Sequence, residues 1–245
     1  MKKIIGRKPV EEALRSDTQL ERVYILDSLH GPFEKEVRRL CREKEVALSR
    51  IPKAKLDREV KGNHQGIYAL ASLINYLRLE DLLPFLFEKG TDPLILVLDG
   101  IQDIRNLGAI ARSAEVFGVD ALIIPSKRGA QINEFAIKAS AGALTKLAVS
   151  RVPTLSWALD YLKQSGFQLA GAVLETTTEL DSLQIKGPAV IVLGSEEKGI
   201  DRNLLSELDL TFTIPQFGKL DSLNVSVAAG IILYEFSKKR QVVKK

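Results

Sequence analysis

Pro93-Leu94-Ile95-Leu96-Val97-Leu98-Asp99-Gly100 decides the fold. Five apolar residues without a polar interruption make a strand buried on both faces, and Asp99-Gly100 ends it. Downstream, Leu107, Ile110, Ala111, Ala114 and Phe117 recur at helical spacing until Gly118. Ala121 to Ile124 repeats the apolar strand, and Asn133 to Ala141 reads as helix. Leu147 to Val149, Leu169 to Leu174, Ala189 to Leu193 and Leu210 to Ile214 read as further strands, with a helix over Leu155 to Gln164. Alternating helices and fully apolar strands predict an α/β domain with a mostly parallel sheet and helices on both faces. Val225 to Phe236 is apolar on nearly every face, so it should be buried or lie at an interface.

Upstream the texture changes. Pro9 to Leu14 and Phe33 to Lys44 read as helices. Arg22 to Leu26, Val46 to Ile51 and Gly66 to Ala71 read as strands, giving a second, smaller α/β unit. The expected organisation is a domain over 1–74, a linker with a short helix over 75–92, and a larger domain over 93–245. Residues 1–74 hold 16 Lys and Arg against 11 Asp and Glu, whereas the remainder holds 19 against 20. The excess positive charge therefore belongs to the first third, which suits either an anionic partner or a solvated basic surface.

The 245 residues are 45% hydrophobic and 27% charged, as expected of a soluble globular chain. Cys41 is the single cysteine, so no disulfide forms within the chain, and a reducing cytoplasm is its expected home. With His30 and His64 the only histidines, a Cys/His structural zinc site is excluded, and nothing suggests a Ser/His/Asp triad, since both histidines lie in the first third. No metal and no membrane segment are expected: no apolar run approaches the length of a bilayer span.

In an open parallel sheet, ligands bind beyond the carboxyl ends of the strands. Three polar clusters fall there. Asn106-Leu107-Gly108-Ala109, with Arg112, follows the strand at Leu94; Asn106 there is either a helix cap or a site residue. Gly194-Ser195-Glu196 leaves the strand at Ala189, as a plain turn or a ligand loop. Ser222-Leu223-Asn224-Val225-Ser226-Val227-Ala228 opens the last helix, where Ser222 or Asn224 is again a cap or a site residue. No Gly-x-Gly-x-x-Gly follows the first strand, which weighs against a dinucleotide-dependent oxidoreductase.

Taken together, in this order, the three clusters resemble the SpoU (TrmH-like) family of RNA ribose 2′-O-methyltransferases, of the SPOUT class, over residues 94–240. Gly6 to Leu14 and His64-Gln65-Gly66 resemble that family's ribosomal-protein-like RNA-binding domain, and the pairing looks most like the subgroup acting on guanosines of 23S ribosomal RNA. Ile104, Glu197 and Gln216 depart from the frequent Pro, Gly and Met of the motifs. The resemblance implies a trefoil-knotted sheet that binds S-adenosylmethionine through Gly194, Ile214 and Leu223. It implies catalytic roles for Asn106, Arg112, Glu196, Ser222 and Asn224, and a homodimer formed through the knotted domain. Arg7, Lys8 and His64 are the expected RNA contacts. An arginine is a poor base near neutrality, so Arg112 is expected to hold phosphate and stabilise an alkoxide, rather than take the proton. The alternatives are a transfer RNA substrate, a ribosomal RNA methylation conferring antibiotic resistance, and a non-catalytic RNA-binding protein.

Overall fold

The computed structural model describes residues 2–220 and 222–243. The chain divides into two units, one comprising the residues up to Asn75 with Ile132–Glu134, the other Tyr76–Gln131 and the residues from Phe135 onward.

Unit 1 runs β1 (Lys3–Ile5), α1 (Arg7–Arg15), β2 (Leu20–Leu26), α2 (Pro32–Glu43), β3 (Ala47–Ile51), α3 (Lys53–Glu59) and β4 (Ile67–Ala71). Its sheet has the order β1-β4-β2-β3, with β2 and β3 parallel and the other pairs antiparallel. Strand alternation divides β2 between two cores. Val23 and Ile25 point to α1 and α2, where Val10, Leu14, Val37, Leu40 and Cys41 meet them. Tyr24 and Leu26 point to the opposite face and pack with Tyr68, Leu56 and Val60 under α3. Tyr24 and Tyr68, partners across β2 and β4, stack with ring centroids 4.8 Å apart. The sequence pattern does not reveal β1 or α3. Three residues are too few to show a period, and α3 buries Leu56 alone.

Unit 2 contains β5 (Tyr76–Leu77), α4 (Leu79–Glu88), β6 (Leu94–Leu98), α5 (Ile104–Val116), β7 (Ala121–Pro125), α6 (Glu134–Ala139) and a 3-10 turn at Ala143–Thr145. It continues with β8 (Ala148–Val152), α7 (Leu155–Gln164), β9 (Gln168–Ala172), β10 (Ala189–Leu193), α8 (Arg202–Leu205), β11 (Leu210–Phe212) and α9 (Val225–Val243). The strands form one parallel sheet in the order β11-β9-β10-β6-β7-β8-β5. The two most apolar strands, β6 and β10, lie together at its centre, with Leu94 opposite Ala189 and Leu98 opposite Leu193.

Of the stretch 75–92, expected as a linker, residues 76–92 are part of this unit. β5 pairs with β8, and α4 sends Leu79, Leu82, Leu83 and Leu86 into the core formed with β6, β7 and α7. The apolar residues between charges in that stretch are the inward stripe of a helix. α5 is capped by Asp103, whose carboxylate accepts the N–H of Arg105 at 2.6 Å. Its fit against α6 depends on Gly108, where a Cβ would stand 2.4 Å from that of Ala139. α9 buries Val225, Ala229, Ile232, Leu233 and Phe236 while exposing Val227, Ile231 and Tyr234. Arg240, near its end, reaches the backbone carbonyls of Asp92, Pro93 and Gly187, so α9 clasps the approaches to β6 and β10. No helix among the described residues is long and apolar enough to cross a membrane.

Candidate active site

The carboxyl ends of β6 and β10 lie side by side, which brings the loops that follow them together. Asp99 ends β6. Its N–H donates to Leu193 O at 2.8 Å, and its Oδ2 accepts the N–H of Asp201 at 2.7 Å. Between those anchors the loop after β10 doubles back on itself. Ser195 and Gly199 exchange backbone hydrogen bonds of 3.1 and 2.9 Å, and Gly199 takes a φ of +64°. Only glycine fits at 194, since a Cβ there would lie 2.0 Å from the carbonyl carbon of Gly199. The turn aims Glu196 outward.

Two side-chain amides and one backbone N–H converge on that residue. Oε1 of Glu196 accepts from Asn106 Nδ2 at 3.3 Å, from Val225 N at 3.3 Å, and from Asn224 Nδ2 in a short contact. Asn224 also donates to Asn106 Oδ1 at 3.1 Å. One carboxylate oxygen thus binds the first turn of α5 to the start of α9, from positions far apart in sequence. A charged acceptor strengthens each of these bonds. The open alternatives at Asn106 and Asn224 resolve differently. Asn106 is not the cap of α5, because Asp103 holds that place and Asn106 sits inside the first turn. Asn224 performs both tasks: its Oδ1 accepts the N–H of Ser226 at 2.9 Å, capping α9, while its Nδ2 joins the cluster.

Arg112 and Ser222 stand outside this cluster. Arg112 is exposed on α5, and neither residue makes a side-chain hydrogen bond among the described residues. Gly194 and Ile214 follow β10 and β11, and Leu223 immediately precedes Asn224. No turn or loop hydrogen bond engages their backbone groups among the described residues. Among the described residues no cluster of His, Cys, Asp or Glu could hold a metal ion.

The expected RNA contacts lie in unit 1, where Arg7 and Lys8 are exposed at the start of α1. Arg7 donates its N–H to Gln65 Oε1 at 3.0 Å and lies over the ring of Phe33, 5.0 Å from the centroid. His64 has both ring nitrogens engaged: Nδ1 accepts the N–H of Gly66 at 3.0 Å, and Nε2 meets Asp57 Oδ1 at 2.8 Å. It ties a turn in which Gln65 adopts a φ of +51°. Asp99 is the site residue that motif reading missed. Its signal was a carboxylate placed directly after an all-apolar strand, and burial raises its pKa above the ordinary carboxylate value.

A parallel sheet with a carboxylate and two amides gathered beyond its strand ends places this cluster where α/β folds hold their ligands. Residues 93–234 match the model of the SpoU rRNA Methylase family, and residues 3–77 match that of the RNA 2′-O ribose methyltransferase substrate-binding domain. A Bacillus subtilis protein, YacO, assigned to the TrmH family of tRNA/rRNA methyltransferases, is 33% identical over 240 residues, covering 98% of this chain and 96% of its own. A counterpart in Staphylococcus epidermidis is 35% identical, covering 97% and 95%. Among solved structures, the SpoU methyltransferase AviRb of Streptomyces viridochromogenes, in complex with AdoMet, shares the fold. Its TM-score is 0.62 at 22% identity, over 98% of this chain and 90% of that one. The TrmH/SpoU tRNA-modifying enzyme of A. aeolicus matches 68% of this chain and 86% of its own, at 30% identity and a TM-score of 0.57. The chain belongs to the SpoU (TrmH) family of RNA methyltransferases.

Proposed function

We propose that this protein transfers a methyl group from S-adenosylmethionine to a ribose 2′-hydroxyl of structured RNA, with a guanosine of 23S ribosomal RNA as its target in the cytoplasm. The observation that carries this reading is the convergence of Asn106 and Asn224 on Oε1 of Glu196, beyond the strand ends. Backbone groups at Gly194, Ile214 and Leu223 suit the edge of an adenine, which needs one donor and one acceptor. S-adenosylmethionine supplies, when bound, an electrophilic methyl on a sulfonium that leaves as a neutral thioether.

The chain's own work is therefore alignment and the handling of one proton. Glu196 has its Oε1 saturated by protein donors, while its Oε2 makes no hydrogen bond among the described residues. That free oxygen accepts the 2′-hydroxyl hydrogen and orients the nucleophile. Asn106 and Asn224 fix the carboxylate's rotamer. Arg112 grips the phosphate beside the target ribose and stabilises the developing alkoxide, a task suited to a guanidinium that stays charged. Ser222 relays the released proton to a phosphate oxygen of the RNA. Arg7 and Lys8 contact RNA phosphates, while His64 acts through the turn it holds.

The protein works as a homodimer. Val227, Ile231 and Tyr234, at helical spacing on α9, are 51%, 40% and 55% exposed in the single chain, an apolar stripe that a second copy would cover. Light scattering should give twice the chain mass, and Ile231→Asp/Tyr234→Asp should halve it.

The reaction is tested by calorimetric titration with S-adenosylmethionine and with NADH, followed by mapping of ribose methylation on ribosomal and transfer RNA. Binding of S-adenosylmethionine alone and a methylated 23S guanosine support the reading. Binding of NADH alone would overturn the class, and methylation confined to transfer RNA would overturn the substrate.

A further inference from the structure

Unit 1 handles its charges differently on its two faces. On the α1/α2 face four arginines are paired internally, while Lys35 and Arg42 of α2 stay exposed and without an ion pair among the described residues. Arg15 pairs with Glu11 at 2.9 Å and Glu36 at 2.5 Å, Arg39 with Glu36 at 2.8 Å and also with Glu43, and Arg38 and Arg50 with Glu34 at 2.5 and 2.7 Å. On the opposite face, α3 uses its two carboxylates elsewhere. Asp57 is turned to His64, and Glu59 takes Lys3 at 3.1 Å. Lys53, Lys55 and Arg58, with Lys61 in the turn that follows, remain exposed and without an ion pair among the described residues.

These cations adjoin a second basic segment. The turn that begins at Lys61 returns through His64, bonded to Asp57 of α3, to Gln65, which holds Arg7 of α1 by two hydrogen bonds of 3.0 and 3.3 Å. Arg7 therefore joins the α3 edge to the start of α1, where its guanidinium also lies over Phe33 of α2 and Lys8 follows in sequence. All the apolar anchoring of α3 is spent inward: Leu56 and Val60 are buried, and the outer face carries no exposed large hydrophobic side chain. Protein interfaces need a desolvated apolar centre, which this face lacks. A polyphosphate backbone needs only mobile cations that can release its counterions, and that is what the face presents.

We propose that α3, the turn through Lys61, and the Arg7-Lys8 segment form the surface of unit 1 that grips the phosphate backbone of RNA, and that the α1/α2 face does not. The inference rests on the methyltransferase reading above and identifies where its substrate is held.

Two doubly substituted proteins with the same change in net charge test it. One is Lys55→Gln/Arg58→Gln on α3; the other is Lys35→Gln/Arg42→Gln, two exposed cations of α2. Glutamine keeps helix propensity close to that of the residues replaced. Affinity for a 23S ribosomal RNA transcript and for a transfer RNA transcript is measured across a salt series, with S-adenosylmethionine affinity as the check on folding. The α3 variant should bind about tenfold more weakly near 100 mM salt, and its slope of log affinity against log salt should fall by about 1.5. The α2 variant should match the unsubstituted protein. Lys53→Gln/Lys61→Gln supplies an independent α3 pair should the first fail to bind S-adenosylmethionine. Equal weakening by the α2 and α3 pairs, or unchanged binding by the α3 pairs, would overturn the surface while leaving the methyltransferase reading intact. An unsubstituted protein that binds neither RNA would overturn both.

Discussion

At Asn224 one side chain serves two ends, and substitution can separate them. Its Oδ1 caps α9 through Ser226 N, while its Nδ2 donates to Glu196. Asn224→Ala removes both and should lower stability by about 1 kcal/mol, read as a reduced Tm. Asn224→Asp keeps the capping oxygen but sets a second carboxylate against Glu196. The Tm should then hold while methyl transfer falls about tenfold or more, the scale of losing a charge-assisted bond and adding repulsion. An Asp variant with full activity would show that the Glu196 contact is dispensable. Asp99 gives a test by pH. Burial raises its pKa in the folded protein, so the folded state binds the proton more tightly than the unfolded one. Stability should therefore decline as pH rises from about 3.9 through the raised value. Asp99→Asn retains an acceptor for Asp201 N and should flatten that part of the Tm profile, provided the carboxylate's role is geometric. A Tm profile of the same steepness in the Asn variant would assign the slope to other groups.

At the scale of elements, periodicity is readable where burial is thorough. Five apolar residues give β6 and β10 to the residue, because both faces of a central parallel strand are covered. α3, anchored by Leu56 alone, leaves no pattern to read. α4 was legible as apolar residues between charges, but nothing local revealed which sheet they pack on. The site follows the same division. Asn106, Glu196 and Asn224 each read as ordinary cap or turn residues, since what distinguishes them is a meeting across sequence separations of 90 and 118 residues. Only the order of three motifs, read as a family pattern, anticipated that meeting. Gly194 is where loop and strand are fitted most closely. Gly194→Ala drives a Cβ into the backbone of Gly199 and Ile200, which no rotamer change relieves. A loss of about 1–3 kcal/mol is expected from denaturant midpoints, with a larger proportional loss of S-adenosylmethionine affinity. Unchanged calorimetric affinity in a destabilised variant would detach this loop from the cofactor.

Across the whole molecule, the lone cysteine is a reporter of cooperativity. Cys41 is buried between α2 and the unit 1 sheet, and burial pushes its thiol pKa up to about 12. Ellman's reagent should therefore not label the native protein near neutral pH, and labelling in denaturant should follow the opening of unit 1. Comparing that midpoint with the fluorescence of Trp157, on α7 of unit 2, asks whether the two units melt together. Separate midpoints are the expected result for two units with separate hydrophobic cores.

The pairing of β6 with β10 also has a consequence on the ribosome. Leu-Ile-Leu-Val-Leu is made long before Ala-Val-Ile-Val-Leu, the strand that flanks it in the finished sheet. At roughly 5–20 residues per second the nascent chain waits on the order of 5–20 s for that partner. During the wait it carries an uncharged, β-prone segment with an open edge, the kind that pairs with neighbouring chains. A holding chaperone that covers residues 94–98 during that interval should raise the yield of folded protein more than one acting after release.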